Sequence, residues 1–119
     1  MLIKDFKNCK EIIAGDGTLL REIIHARETG NKIRYSIAHA IVKPGEKSLP
    51  HKLKSSEIYY IIEGEGMVFI NGEYASVQKK QAIYIPPNSE QWIENTGSSE
   101  LKFLCIVDPA WKLEDKEIS

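Results

Sequence analysis

Met67-Val68-Phe69-Ile70-Asn71-Gly72-Glu73-Tyr74 is the stretch that decides the fold. Asn-Gly between two apolar runs calls for a two-residue type I′ hairpin, because both residues tolerate positive φ. Working outward, the same kind of punctuation recurs at Gly15-Asp16-Gly17, Thr29-Gly30-Asn31, Pro44-Gly45, Gly64-Glu65-Gly66, Pro86-Pro87-Asn88 and Asn95-Thr96-Gly97. Between these turns lie apolar and β-branched runs of strand length, at about 33–42, 57–63, 82–85, 91–95 and 101–107. Short strands at such spacing predict an all-β sandwich or barrel. The segment 18–26 is compatible with helix or strand and is read as strand. Asp108-Pro109 resembles an N-cap followed by proline at the first helical position. A short helix or ordered tail over 109–117 is therefore expected, returning Trp111 and Leu113 to the barrel.

Length and composition set the outer limits. The chain has 119 residues, the size of one domain, and 42% of them are hydrophobic, enough to fill one core. A single domain over 1–119 is expected, with the barrel at about 33–107 and a tail at 108–119. The formal net charge is -1 and charge is dispersed, so nothing recommends nucleic acid as a partner. Apolar runs such as Ile58 to Ile62 are too short to span a bilayer, and the charged N-terminus does not read as a signal peptide. A cytoplasmic protein without membrane contact is the expectation. Cys9 and Cys105 form no CxxC pair, and a disulfide between them is not expected in a reducing compartment. Thirteen lysines against three arginines, with abundant Ile and Glu, suit a thermophilic source and equally an AT-rich genome.

The stretch from Gly45 to Asn95 resembles the two motifs of the cupin superfamily. The first, G-x5-H-x-H-x3-E-x6-G, meets Gly45, His51, Leu53, Glu57 and Gly64. The second, G-x5-P-x-G-x2-H-x3-N, meets Lys80, Pro86, Asn88, Gln91 and Asn95. Asn88 suits a turn that needs positive φ. The resemblance covers about half the chain and implies a small single-domain cupin, a double-stranded β-helix or jelly-roll barrel.

In metal-binding cupins the two His and the Glu of the first motif, with the His of the second, hold a divalent ion. Carried over by position, the metal set here is His51, Glu57 and Gln91, with Leu53 where a second imidazole sits in those relatives. One imidazole, one carboxylate and one amide suit a weakly held Mn, Fe, Ni or Zn ion with several waters. They suit equally a pocket without metal, in which His51 and Glu57 pair with each other. No organic cofactor is expected.

Strand alternation extends the site. His51 and Leu53 share a face, as do Glu57, Tyr59 and Ile61, and Gln91 and Ile93. Phe69 is expected on the pocket wall, and Trp92 on the opposite face. His39 is a candidate extra ligand if its strand lies beside Gln91. Cys105 shares a face with Phe103 and Val107 and is a candidate lining residue. His25 has no assigned role.

The leading functional expectation is a cupin that binds a divalent metal weakly and acts on a small polar organic molecule. The chemistry would be of isomerase or lyase type, with His51 and Glu57 moving protons as the catalytic pair. An oxygenase fits less well, since two usual imidazoles are missing. The alternatives are a small-molecule binding module with neither catalysis nor metal, and a scaffold with a vestigial pocket. Leu53 beside Tyr59, Ile61 and Phe69 implies one apolar wall, suited to a ligand with a flat or hydrophobic part and one carbonyl, carboxyl or hydroxyl head. A homodimer is expected, because exposed strand edges and the face carrying Ile58, Tyr60 and Ile62 need cover.

Overall fold

The computed structural model describes residues 1–110 and, through their backbone pairing, 116–118. Eleven strands are present among them: β1 (Glu11–Ile13), β2 (Leu19–Ile24), β3 (Ser36–Val42), β4 (His51–Leu53), β5 (Ser56–Glu63), β6 (Glu65–Ile70), β7 (Glu73–Gln78), β8 (Ala82–Ile85), β9 (Gln91–Asn95), β10 (Leu101–Asp108) and β11 (Lys116–Ile118). They form two antiparallel sheets, one ordered β1-β2-β3-β10-β5-β8 and the other β11-β4-β9-β6-β7. The sheets face each other as an all-β jelly-roll barrel, as the hairpin and turn spacing predict.

The β6–β7 hairpin closes where expected. Ile70 pairs with Glu73, and Asn71 and Gly72 take φ of 49° and 83°. The segment expected as strand over 18–26 supplies β2. Its end turns into a short 3-10 segment, Ala26–Thr29, capped by His25, whose Nδ1 accepts from the Arg27 amide at 3.1 Å. Capping is thus the structural role of that imidazole.

A short helix or ordered tail is expected over 109–117, and its described end takes the extended form. Residues 116–118 are a strand on the edge of β4, with Ile118 opposite His51 and Lys116 opposite Leu53. An open sheet edge supplies backbone partners that a short isolated helix must do without. Trp111 and Leu113 lie outside the described residues.

Each motif position has a backbone reason. Gly64 sits at φ +86°, and a Cβ there would lie 2.7 Å from the Glu100 carbonyl oxygen. Asn95 ties the sheets together: its Nδ2 donates to the carbonyls of Val42 and Ser99 at 2.9 and 2.8 Å, and its Oδ1 accepts from the Gly97 amide at 2.9 Å. Asn88 takes φ 61°, and Lys80, at the family's glycine position, takes φ 72°. A left-handed residue with a Cβ costs about 1–2 kcal/mol. Glycine relieves that strain but gains freedom in the unfolded chain. Lys80→Gly is expected to stabilise the fold by about 0.5–1 kcal/mol, read as a higher urea midpoint at unchanged slope.

The core is asymmetric along the barrel axis. At one end Val42, Ile61, Val68, Val77 and Leu101 pack together with Phe103. At the other end the inward positions of β3 are Ser36, Ala38 and Ala40. These side chains are too small to fill the space between the sheets, and a cavity remains. Outside, Ile58, Tyr60 and Ile62 on β5 stay exposed, with Tyr84 on β8 paired opposite Ile58.

Candidate functional site in the barrel

The cavity has a volume of about 640 Å³. Its walls include Leu20, Leu53, Ile93, Phe103 and Val107, its polar lining includes Asp16, Thr18, Ser48, His51, Glu57 and Tyr59, and Lys4, Lys10 and Arg27 also border it. That is large enough for a small organic molecule.

His51 is held by a clamp on the loop before β4. The Ser48 amide donates to the Ile93 carbonyl at 2.9 Å, and Ser48 Oγ accepts from the Ile93 amide at 3.0 Å. The Leu49 amide donates to the Asp16 carbonyl at 2.7 Å. These bonds set the β4 backbone, so that His51 lies opposite Gln91 on β9. His51 Nδ1 donates to the Leu49 carbonyl at 3.0 Å, and Asp16 Oδ2 lies 3.8 Å from the same nitrogen. A carbonyl only accepts, so Nδ1 carries the hydrogen.

A buried chain of hydrogen bonds runs across the sheets. The Tyr59 hydroxyl donates to Gln91 Oε1 at 2.9 Å, and Gln91 Nε2 donates to Glu57 Oε1 at 2.7 Å. This orientation of the amide is the one an ionised Glu57 demands, because a carboxylate only accepts. Tyr59 is buried, and its phenol is held well above its usual range, first by burial and then by Glu57, Cys105 and Asp16. It therefore stays a neutral donor at ordinary pH.

The sequence-derived residues separate by depth and by face. His51, Leu53, Glu57, Tyr59, Ile93 and Cys105 all line the cavity. Gln91 is 1% exposed and joins them through Tyr59 and Glu57. Three expected pocket residues lie elsewhere. Ile61 is fully buried in the packed end of the barrel, because it stands further along β5 than the cavity reaches. Phe69 is on the outer face, paired with Trp92 and stacked on it at 4.5 Å, because Gly66, Val68 and Ile70 take the inward positions of β6. His39 also points outward, since Ala38 and Ala40 hold the inward positions of β3. It packs edge-on against Phe6 at 4.7 Å, and burial, then Lys102 and Arg21, push its imidazole down.

Asp16 and Cys9 are the residues that sequence reasoning missed. Asp16 reads in sequence as a turn residue between two glycines. It does serve the turn, accepting at Oδ1 from the Thr18 amide at 3.1 Å and hydroxyl at 2.8 Å. Only the folded chain places it beside His51. Cys9 and Cys105 both border the cavity and are not joined in a disulfide.

The donor set does not fit the metal site that the motif resemblance implies. Leu53 offers no ligand atom. The Gln91 amide oxygen is turned to the Tyr59 hydroxyl and its nitrogen to Glu57. Among the described residues no three His, Cys, Asp or Glu side chains are grouped so as to hold a metal ion. Of the expected ligand set, Glu57 and Gln91 meet in a hydrogen bond, and His51 lies opposite Gln91 with its Nδ1 on the Leu49 carbonyl.

Two antiparallel sheets closed into one barrel, with polar side chains of β4, β5 and β9 gathered at the cavity, define a jelly-roll domain of the cupin class. The family model for the cupin domain matches residues 38–107, and the chain belongs to that family. An uncharacterized protein of Methanocaldococcus jannaschii is 41% identical over 115 residues, covering 96% of this chain and 91% of that protein. An oxalate-binding protein of Thermotoga maritima is 32% identical over 90 residues, covering 75% of this chain and 69% of the other. Among solved structures, a Thermotoga maritima protein described as a predicted oxalate decarboxylase superposes with a TM-score of 0.78 at 24% identity. That match covers 91% of this chain and 99% of the other, and it supports the fold alone. Among the described residues no helix is long and apolar enough to cross a membrane.

Proposed function

We propose that this cupin is a small-molecule binding protein whose cavity holds an organic ligand directly, through hydrogen bonds and apolar contact, without a metal bridge. The observation that carries this reading is the Tyr59–Gln91–Glu57 chain beside Leu53. It commits to hydrogen bonding the groups that a metal would otherwise engage. The apolar walls supply area for a flat or aliphatic body, and the polar groups near His51 orient its head. The oxalate-binding relative supports a role in binding a small organic molecule.

A second reading is favoured by one feature. His51 Nδ1 carries the hydrogen, on the Leu49 carbonyl, so the basic lone pair of the neutral ring is on its other nitrogen. A metal-free isomerase or lyase that moves protons through His51 and Glu57 would use it.

The test is a thermal-shift titration of chelator-treated protein with benzyl alcohol, a small molecule with a flat apolar body and one hydroxyl. Stabilisation without metal is expected, rising with concentration as binding to the folded state requires. Ala38→Phe, which fills the cavity from β3, should abolish it. Binding that appears only after a divalent ion is added would overturn the reading.

A further inference from the structure

Four side-chain donors around the cavity are committed within the protein. The Tyr59 hydroxyl is spent on Gln91, and the Gln91 amide on Glu57. His51 Nδ1 is spent on the Leu49 carbonyl, and the Thr18 hydroxyl on Asp16. Ser36 and Ser48 also line the space, and their hydroxyls can turn to donate or accept. The acidic groups there are Glu57 and Asp16, 5% and 8% exposed, with His51 Nδ1 3.8 Å from Asp16 Oδ2. The cations that border the cavity are disposed differently. Lys4 is paired with Glu28 and Arg27 with Glu22, while Lys10 is exposed to solvent.

From this arrangement we infer that the buried end of the cavity, beside Glu57 and Asp16, receives a ligand head that donates hydrogen bonds, a hydroxyl or an ammonium group, and rejects carboxylates. The inference rests on the reading that the cavity binds an organic molecule directly. It adds Asp16 as a residue that sets specificity. A donating head meets carboxylate oxygens, each able to accept several hydrogen bonds. A carboxylate head meets like charge in a setting of low dielectric, where repulsion is stronger than in water. Beyond the Ser36 and Ser48 hydroxyls, it would find the side-chain donors named above engaged, and the loss of its water would be compensated only in part. Oxalate, the namesake ligand of one relative, is a dianion with no apolar body and suits this cavity least.

The experiment compares four probes on the chelator-treated full chain by titration calorimetry: benzyl alcohol, benzylamine, benzoate and oxalate. The first three share one flat body and differ in the head. The alcohol or the amine is expected to bind at least about tenfold more tightly than benzoate, a gap of about 1.4 kcal/mol. Oxalate should give no measurable heat. Glu57→Gln and Asp16→Asn each remove one negative charge and should narrow the benzylamine–benzoate gap. The wild-type ranking alone decides the matter if either variant fails to fold. Benzoate or oxalate binding as well as the alcohol and amine would overturn the specificity and leave the binding reading intact. Absence of binding by all four would overturn both.

Discussion

Gln91→Leu is expected to destabilise the barrel by about 2–3 kcal/mol, although leucine is apolar and close to glutamine in size. The reason is the position of the amide between two buried groups. Gln91 accepts from the Tyr59 hydroxyl and donates to the Glu57 carboxylate, and all three side chains are buried. Leucine takes away the amide that serves both. Hydrogen bonds to charged groups contribute more than neutral ones, and a buried polar group that loses its partner bears its desolvation in full. Tyr59→Phe removes only the neutral end of the chain and should cost about 1 kcal/mol. Urea unfolding of the two variants measures the difference. Equal and small effects would mean that the network contributes nothing to the fold.

Leu53→His is expected to raise affinity for Zn²⁺ or Ni²⁺ by about tenfold or more, since one imidazole ligand is added beside His51 and Glu57. Leu53 is 3% exposed and lines the cavity on the same short strand as His51. The new imidazole would therefore enter the space near both. In the wild type, His51→Ala should change divalent affinity little, because the Gln91 amide is engaged on both sides. Calorimetric titration of the three proteins checks both statements. A Leu53→His variant with wild-type affinity would show that residue 53 does not share a ligand sphere with His51 and Glu57. A large loss in His51→Ala would show that the native site does hold metal.

Much of the fold is legible in the sequence because its signals are local. Asn71-Gly72 forces its hairpin through the φ values that only such residues take at low cost. The alternation along β4, β5 and β9 places His51, Leu53, Glu57, Tyr59, Gln91 and Ile93 inside without knowledge of any partner strand. Phe69 shows the limit of that logic. Its strand is an unbroken apolar run, Met67-Val68-Phe69-Ile70, so which face turns inward depends on the neighbour. Pairing with β9 puts Phe69 on Trp92 outside and Val68 on Ile93 inside. His39 fails for the same reason: both faces of β3 are apolar enough, and the barrel chose the one bearing Ala38 and Ala40.

Residue types at fixed spacing determined by themselves the barrel, its turns and the inward face of the motif strands. Depth and direction were decided by tertiary structure. It put Ile61 in the packed end and Glu57 in the open end of one strand, and it folded Asp16 from a distant turn against His51. It also turned the Gln91 amide toward Tyr59 and Glu57, where its place in the motif suggested a metal ligand. The physical reason is range. Backbone conformation and strand alternation depend on neighbours a few residues away, whereas a cavity and its hydrogen bonds are made by groups 30 or more residues apart, such as Tyr59 with Gln91 and Glu57 with Gln91.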